Sequence, residues 1–162
     1  MPRFDYESTI KAPAGLVFDW HHDPAAIEKL IPPWEQVTVV GVPARIDESG
    51  SLSTLKITLL GVISVYWVAE HLNYQANQSF QDVQINGPFA SWCHTHAVEP
   101  ADEHSCRYID RIEYALPLGW FGELIGGWFV RQKLKKMFVY RHQVVKEECE
   151  GLAAAKSEGI YG

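Results

Sequence analysis

The hydrophobic pattern of this chain changes period once, and late. Up to about Leu116 the apolar residues fall in short runs that alternate or are rich in β-branched and aromatic side chains. From about Val130 to Glu148 they recur with a period of 3.6. Phe4–Ile10, Val37–Val40, Leu52–Leu60, Ile63–Leu72, Ser79–Ile85, Ala90–Val98 and Arg107–Leu116 read as strands. Asp47-Glu48-Ser49-Gly50 and Asn86-Gly87-Pro88-Phe89 supply turn signals between them. Two short helices follow the first strand. One opens at Ala12-Pro13-Ala14; the other has Asp23 as N-cap and Pro24 at its first position, and stops at Ile31-Pro32-Pro33-Trp34. Sequential strands with short turns pair antiparallel. Such a sheet buries its apolar face best by curling around the single long helix, which predicts an α+β fold of about seven strands.

The period-two faces nominate the inward side chains. In the last strand, Tyr108, Asp110, Ile112 and Tyr114 share one face, and the other carries Arg111 and Glu113. After the Asn-Gly turn, Trp92, His94, His96 and Val98 share the face expected inside, opposite Cys93. Phe80, Asp82 and Gln84 are assigned inward on the strand before it. On the helix, Val130, Leu134, Met137, Phe138, Val144 and Val145 form one stripe with Arg141 at its centre. A buried unpaired guanidinium costs several kcal/mol, so Arg141 requires a carboxylate, carbonyls or water. Asp110, with Asp82 second, is the expected partner.

The 162 residues suit one domain, placed at 1–150, with a flexible tail over 151–162. Asp plus Glu outnumber Lys plus Arg by 20 to 14, and no basic cluster interrupts that excess, so no nucleic-acid partner is expected. Three cysteines without a CxxC pair, and an opening stretch without an apolar secretory segment, fit free thiols and a cytoplasmic location. His94 and His96 lie two apart on one strand face and could begin a metal site, for which Asp82 or Asp110 would supply a third ligand. Histidines bonded to those acids in a polar band are the simpler expectation, with no metal and no cofactor. His21-His22-Asp23 reads as surface or capping chemistry. Leu116–Phe129 combines Trp120, Phe121, Leu124, Ile125, Trp128 and Phe129 with four glycines, which suggests a mobile gate rather than a rigid helix.

The strand order, the terminal helix and a set of short stretches resemble the START-like superfamily, also called SRPBCC or helix-grip. The stretches are Leu30-Ile31-Pro32-Pro33-Trp34, Gly87-Pro88-Phe89, Trp92-Cys93-His94-Thr95-His96, Asp110-Arg111-Ile112-Glu113-Tyr114-Ala115-Leu116-Pro117 and Tyr140-Arg141-His142. The resemblance covers about residues 3–148 and is nearest to a bacterial subgroup akin to polyketide cyclases and dehydrases. It implies a helix-grip fold with an apolar cavity between sheet and helix. The cavity would be lined by Phe80, Asp82, Gln84, Trp92, His94, His96, Tyr108, Asp110, Ile112, Tyr114, Trp120, Met137, Phe138 and Arg141. The leading expectation is binding or carriage of a small hydrophobic molecule such as a lipid, isoprenoid, quinone or polyketide, with brief contact at a membrane surface. One alternative is a cyclase or dehydratase using His94, His96 and Asp110 as acid/base groups. Another is a regulatory protein-interaction module.

Overall fold

The computed structural model describes residues 1–42, 44–59 and 61–159. The elements are β1 (Arg3–Ile10), α1 (Ala14–Trp20), α2 (Ala26–Lys29), β2 (Val37–Val40), β3 (Leu52–Leu59), β4 (Ile63–Gln75), β5 (Ser79–Asn86), β6 (Ser91–Pro100), β7 (Cys106–Ala115) and α3 (Trp120–Glu158). The strands form one antiparallel sheet in the order β1-β7-β6-β5-β4-β3-β2. Every strand except β1 therefore pairs with its sequence neighbour, and β1 closes on β7. This is the helix-grip arrangement expected from the period switch and the resemblance. Leu60, the expected end of the third strand, lies outside the described residues.

Helix α3 lies over the sheet and buries Leu134, Phe138, His142, Val145 and Cys149, at helical spacings of three and four. The buried stripe is centred on His142, one position beyond the Arg141 expected there. Two apolar clusters result. Ile10, Val17, Phe18, Phe80, Tyr108 and Val145 belong to one, and Phe4, Trp92, Ile112, Tyr114, Leu134 and Phe138 to the other.

Helix α3 is longer than its pattern suggested at both ends. It runs past Gly151 to Glu158, so residues 151–158, expected in a flexible tail, are helical. At its start, Trp120–Phe129 are helical rather than a glycine-loosened loop. Two of the glycines there have structural reasons, one steric and one conformational. A Cβ on Gly122 would stand 2.1 Å from the Pro117 carbonyl oxygen. Gly119, at the N-cap, has a φ of 56° that other residues adopt at a cost. The glycines thus allow the β7–α3 connection to fold tightly onto the first turn of the helix.

Candidate functional site

A cavity of about 530 Å³ lies between the sheet, α2 and α3. Its far wall is aliphatic: Val37 from β2, Leu55, Ile57 and Leu59 from β3, and Ala69 from β4. Its floor is a polar band that crosses the sheet from β3 to β7 on the inner face. Cross-strand register builds that band, because His71 stands opposite Asp82, Asp82 opposite His94, and His96 opposite Asp110.

Asp82 and Asp110 organise the band. Asp110 Oδ1 accepts from His94 Nε2 at 2.8 Å, and its Oδ2 accepts from His142 Nε2 at 2.9 Å. His142 Nδ1 lies 2.7 Å from Ser8 Oγ on β1. Asp82 Oδ2 accepts from His96 Nε2 at 2.9 Å. Two further approaches are close but off hydrogen-bond alignment: His71 Nδ1 at 2.8 Å from Asp82 Oδ1, and His96 Nδ1 at 3.0 Å from Asp110 Oδ1. The far nitrogen of His71 meets Ser53 Oγ at 2.9 Å. Phe80 stacks on His96, with ring centroids 4.3 Å apart.

The protonation pattern follows from burial set against neighbouring charge. Burial raises the Asp110 carboxyl, but His94, His96 and His142 outweigh it and hold the group well below its usual range. Burial likewise opposes ionisation of Asp82, where His71 and His96 prevail and hold it low. Burial pulls His96 down, yet Asp110 and Asp82 on either side raise it to about 9. His94 goes the other way: burial and the neighbouring His96 lower it despite Asp110. His21, buried against this floor, is lowered to about 4, first by burial and then by His96. Its Nδ1–H donates to the Val17 carbonyl at 2.9 Å, so Nε2 of the neutral ring accepts from the Tyr108 hydroxyl at 3.1 Å.

The structure sorts the residues nominated from the sequence. Phe80, Asp82, Trp92, His94, His96, Met137 and Arg141 line the cavity. Tyr108, Asp110, Ile112, Tyr114 and Phe138 are buried behind that lining: the first two brace the floor, and the other three fill the second apolar cluster. Gln84 instead holds the β5–β6 turn, donating from Nε2 to the Phe89 carbonyl at 2.9 Å in the space left by Gly87. Trp120 is 68% exposed and stands on the outer surface of α3, because the helix begins ten residues earlier than its pattern indicated. Arg141 does not pair with Asp110, which the histidines occupy. Its Nε donates to the Leu30 carbonyl at 3.2 Å, and its guanidinium lies 5.3 Å from the Phe138 ring centroid.

Sequence reasoning missed three histidines. His21, taken for a surface group, is buried. His71 shares its strand parity with the cavity-lining Trp67 and Ala69, a signal that was available. His142 lies four residues after Phe138 and therefore on the same helix face. Asp82, His94 and His96 each present one ligand atom within 4.8 Å of the others, so these three residues could hold a metal ion.

At the mouth, α2 and the turn after it are clipped to α3 from outside. Lys133 Nζ pairs with Glu35 Oε2 at 3.0 Å, Lys29 pairs with Glu148, and Lys136 lies over the Trp34 ring. Among the described residues no helix is long and apolar enough to cross a membrane.

Comparison with known proteins agrees with this architecture. No curated protein sequence matches the chain. Solved structures that resemble it include a protein from Thermus thermophilus, at 20% identity and a TM-score of 0.63, covering 96% of this chain and 99% of that one. A START superfamily protein from Mycobacterium smegmatis matches at 12% identity and a TM-score of 0.64, over 93% and 98% of the two chains. The Zhui aromatase/cyclase from a Streptomyces species matches at 13% identity and a TM-score of 0.71, over 92% and 93%. These likenesses concern the fold. A family model described as "Polyketide cyclase / dehydrase and lipid transport" matches residues 1–140. With a START-like fold and a family match over most of its length, the chain belongs to the polyketide cyclase, dehydrase and lipid transport family.

Proposed function

We propose that this protein binds and carries one small hydrophobic molecule of lipid, isoprenoid, quinone or polyketide type in the cavity between sheet and helix. The observation that carries the reading is the half-buried apolar face of β2–β4. Val37, Leu55, Ile57, Leu59 and Ala69 point into a space of about 530 Å³ that no side chain fills. Concave apolar sites with a few convergent polar groups are the usual form of a small-molecule site. The His/Asp floor would orient one polar end of an otherwise apolar ligand.

The surroundings of the mouth support delivery from an apolar phase. Leu124, Ile125 and Trp128 on the first turns of α3 are at least 75% exposed, and the neighbouring Phe129 and Val130 line the cavity. Val62, beside the cavity-lining Ile63, is 82% exposed. An apolar collar of this kind suits brief insertion at a membrane interface, with the net charge of −6 working against durable binding to anionic lipid. Native mass spectrometry of freshly purified protein, alone and with a panel of lipids, isoprenols and quinones, tests the carrier reading. One bound apolar molecule per chain is expected; no adduct across the panel would contradict it.

One observation favours a second reading, acid/base catalysis. His94 donates through Nε2 to the buried Asp110, which leaves Nδ1 of the neutral ring free on the cavity side. An imidazole fixed by a carboxylate is the arrangement a general base requires. In that reading His94→Gln abolishes turnover of a cyclisable or dehydratable substrate while the protein stays folded.

A further inference from the structure

The polar floor brings one ligand atom from each of three residues to within 4.8 Å of one another. We propose that Asp82, His94 and His96 bind one divalent transition-metal ion at the bottom of the cavity, with coordination positions left open toward the ligand space. The metal would meet His94 through Nδ1, His96 through Nε2 and Asp82 through Oδ2. This inference rests on the cavity reading for the metal's purpose, but not for its existence.

Spacing is the first support. Bonds of about 2.0–2.1 Å at tetrahedral angles set neighbouring ligand atoms roughly 3.3 Å apart. Asp82 Oδ2 stands 2.9 Å from His96 Nε2 and 3.9 Å from His94 Nδ1, on either side of that spacing, and the three residues' ligand atoms all lie within 4.8 Å of one another, so side-chain adjustment on binding would close the site. The backbone already holds the three residues together, since Asp82 and His94 are register partners and His96 follows two positions later on the same strand.

The outer partners are the second. A metal-bound histidine characteristically offers its other ring nitrogen to a carboxylate, carbonyl or water. Here both distal nitrogens face one oxygen: His94 Nε2 and His96 Nδ1 lie 2.8 and 3.0 Å from Asp110 Oδ1. Asp110 is fixed in turn by His142, and His142 meets Ser8. The oxygen of Asp82 that points away from the proposed ion faces His71, whose far nitrogen meets Ser53. Each proposed ligand thus has a buried group holding it from behind.

Charge is the third. Among the described residues, neither Asp82 nor Asp110 pairs with a Lys or Arg. The carboxylates of Asp82 and Asp110 carry two negative charges, which a dication would balance. Binding needs only that the His96 Nε2 proton leave to solvent.

Two imidazoles and one carboxylate with open positions suit zinc or ferrous iron and leave room for a water or an oxygen donor from the ligand. Asp82, His94 and His96 all line the cavity, so that donor would be a hydroxyl, enol or carboxylate on an otherwise apolar molecule. The test uses the untagged full chain, stripped with chelator and titrated with cobalt(II) as a spectroscopic probe and zinc(II) as a competitor. One equivalent of cobalt should give visible d–d bands without a sulfur charge-transfer band, and one equivalent of zinc should displace it. Asp82→Ala and His94→Ala should each weaken cobalt binding at least 100-fold, and Asp110→Asn about 10–100-fold. Circular dichroism shows whether each variant folds. If none folds, histidine ring resonances shifted by cobalt in the unaltered protein carry the assignment to His94 and His96. Absence of stoichiometric binding, a thiolate band, or unchanged affinity in folded Asp82→Ala would overturn the proposal. Because the titration contains no apolar ligand, failure here leaves the carrier reading standing.

Discussion

The two halves of the sheet face the same interior space and treat it in opposite ways. On β5, β6 and β7 the inner residues are closely packed: Phe80, Trp92, His94, Tyr108, Asp110 and Ile112 are all buried. On β2, β3 and β4 the equivalent positions, Val37, Leu55, Ile57 and Ala69, are apolar yet only half-buried. The difference lies in what covers them. Helix α3 packs along β1 and its buried residues sit over the β6–β7 side, whereas the β2–β4 side is roofed by the four-residue α2 and the turn after it. The first half holds the fold and the second holds space. Stability and ligand binding should therefore respond to different residues, and substitutions can separate them.

The largest expected effect is on the packed half. Asp110→Ala leaves three histidines without their shared acceptor, and breaking a buried charged network of this type costs about 3–5 kcal/mol. Chemical denaturation should place its midpoint far below that of the unaltered protein. Phe138→Ala and Leu55→Ala test the contrast directly. Phe138 is fully buried, and its truncation should cost about 3–5 kcal/mol. Leu55 faces the cavity from a half-buried position, so its truncation should cost roughly 1 kcal/mol, because the side chain already lacks neighbours on one side. Similar losses for the two would mean that the β2–β4 face is closed in solution.

A pH effect tests His21, which burial lowers as it does His94. The folded pKa of His21, about 4, lies below the ordinary 6.5. Between those values the unfolded chain binds the proton and the folded chain does not, so stability is full above pH 6.5 and falls as pH drops toward 4. The loss from this one group is at most about 3 kcal/mol. His21→Gln should flatten the stability difference between pH 7 and pH 4.5 relative to the unaltered protein, as followed by thermal melts. An unchanged slope would show that His21 is solvated. The smallest expected change is at the roof. Lys133→Ala breaks a partly exposed pair with Glu35 and should cost about 1 kcal/mol or less, by the general weakness of such pairs. It should nevertheless speed ligand exchange, which stopped-flow fluorescence from the cavity tryptophans Trp67 and Trp92 can follow.

The same contrast explains what the sequence made legible. Strand and helix periods located the strands and α3, capping and proline signals located the two short helices, and parity combined with the composition of each face put His94, His96 and Asp110 inside; Phe80, Asp82 and Gln84 lay on a strand whose two faces parity did not distinguish. The cavity was not readable in this way. Leu55 and Ile57 alternate like core residues, and nothing in their spacing says that the opposite wall is missing. Arg141 was misassigned because a helical stripe fixes a face to within about one residue, and one position moves a side chain by about 100°. That shift put His142, rather than Arg141, against Asp110. The glycines of Leu116–Phe129 suggested looseness, but Gly122 admits a backbone carbonyl that only the folded β7–α3 connection brings near. Trp120 was misplaced with them, since propensity could not show that the helix begins at that residue.

The central claim is that the space over β2–β4 is a binding site and not a packing defect. Ala69→Trp would fill it from the middle of β4 with a side chain compatible with strand structure. Affinity for the apolar molecule identified by native mass spectrometry should be measured in the unaltered protein and in this variant, with thermal melts confirming that both are folded. The account predicts that Ala69→Trp loses at least 100-fold in affinity while its melting temperature stays level or rises. A folded Ala69→Trp that binds the molecule as tightly as the unaltered protein would contradict it.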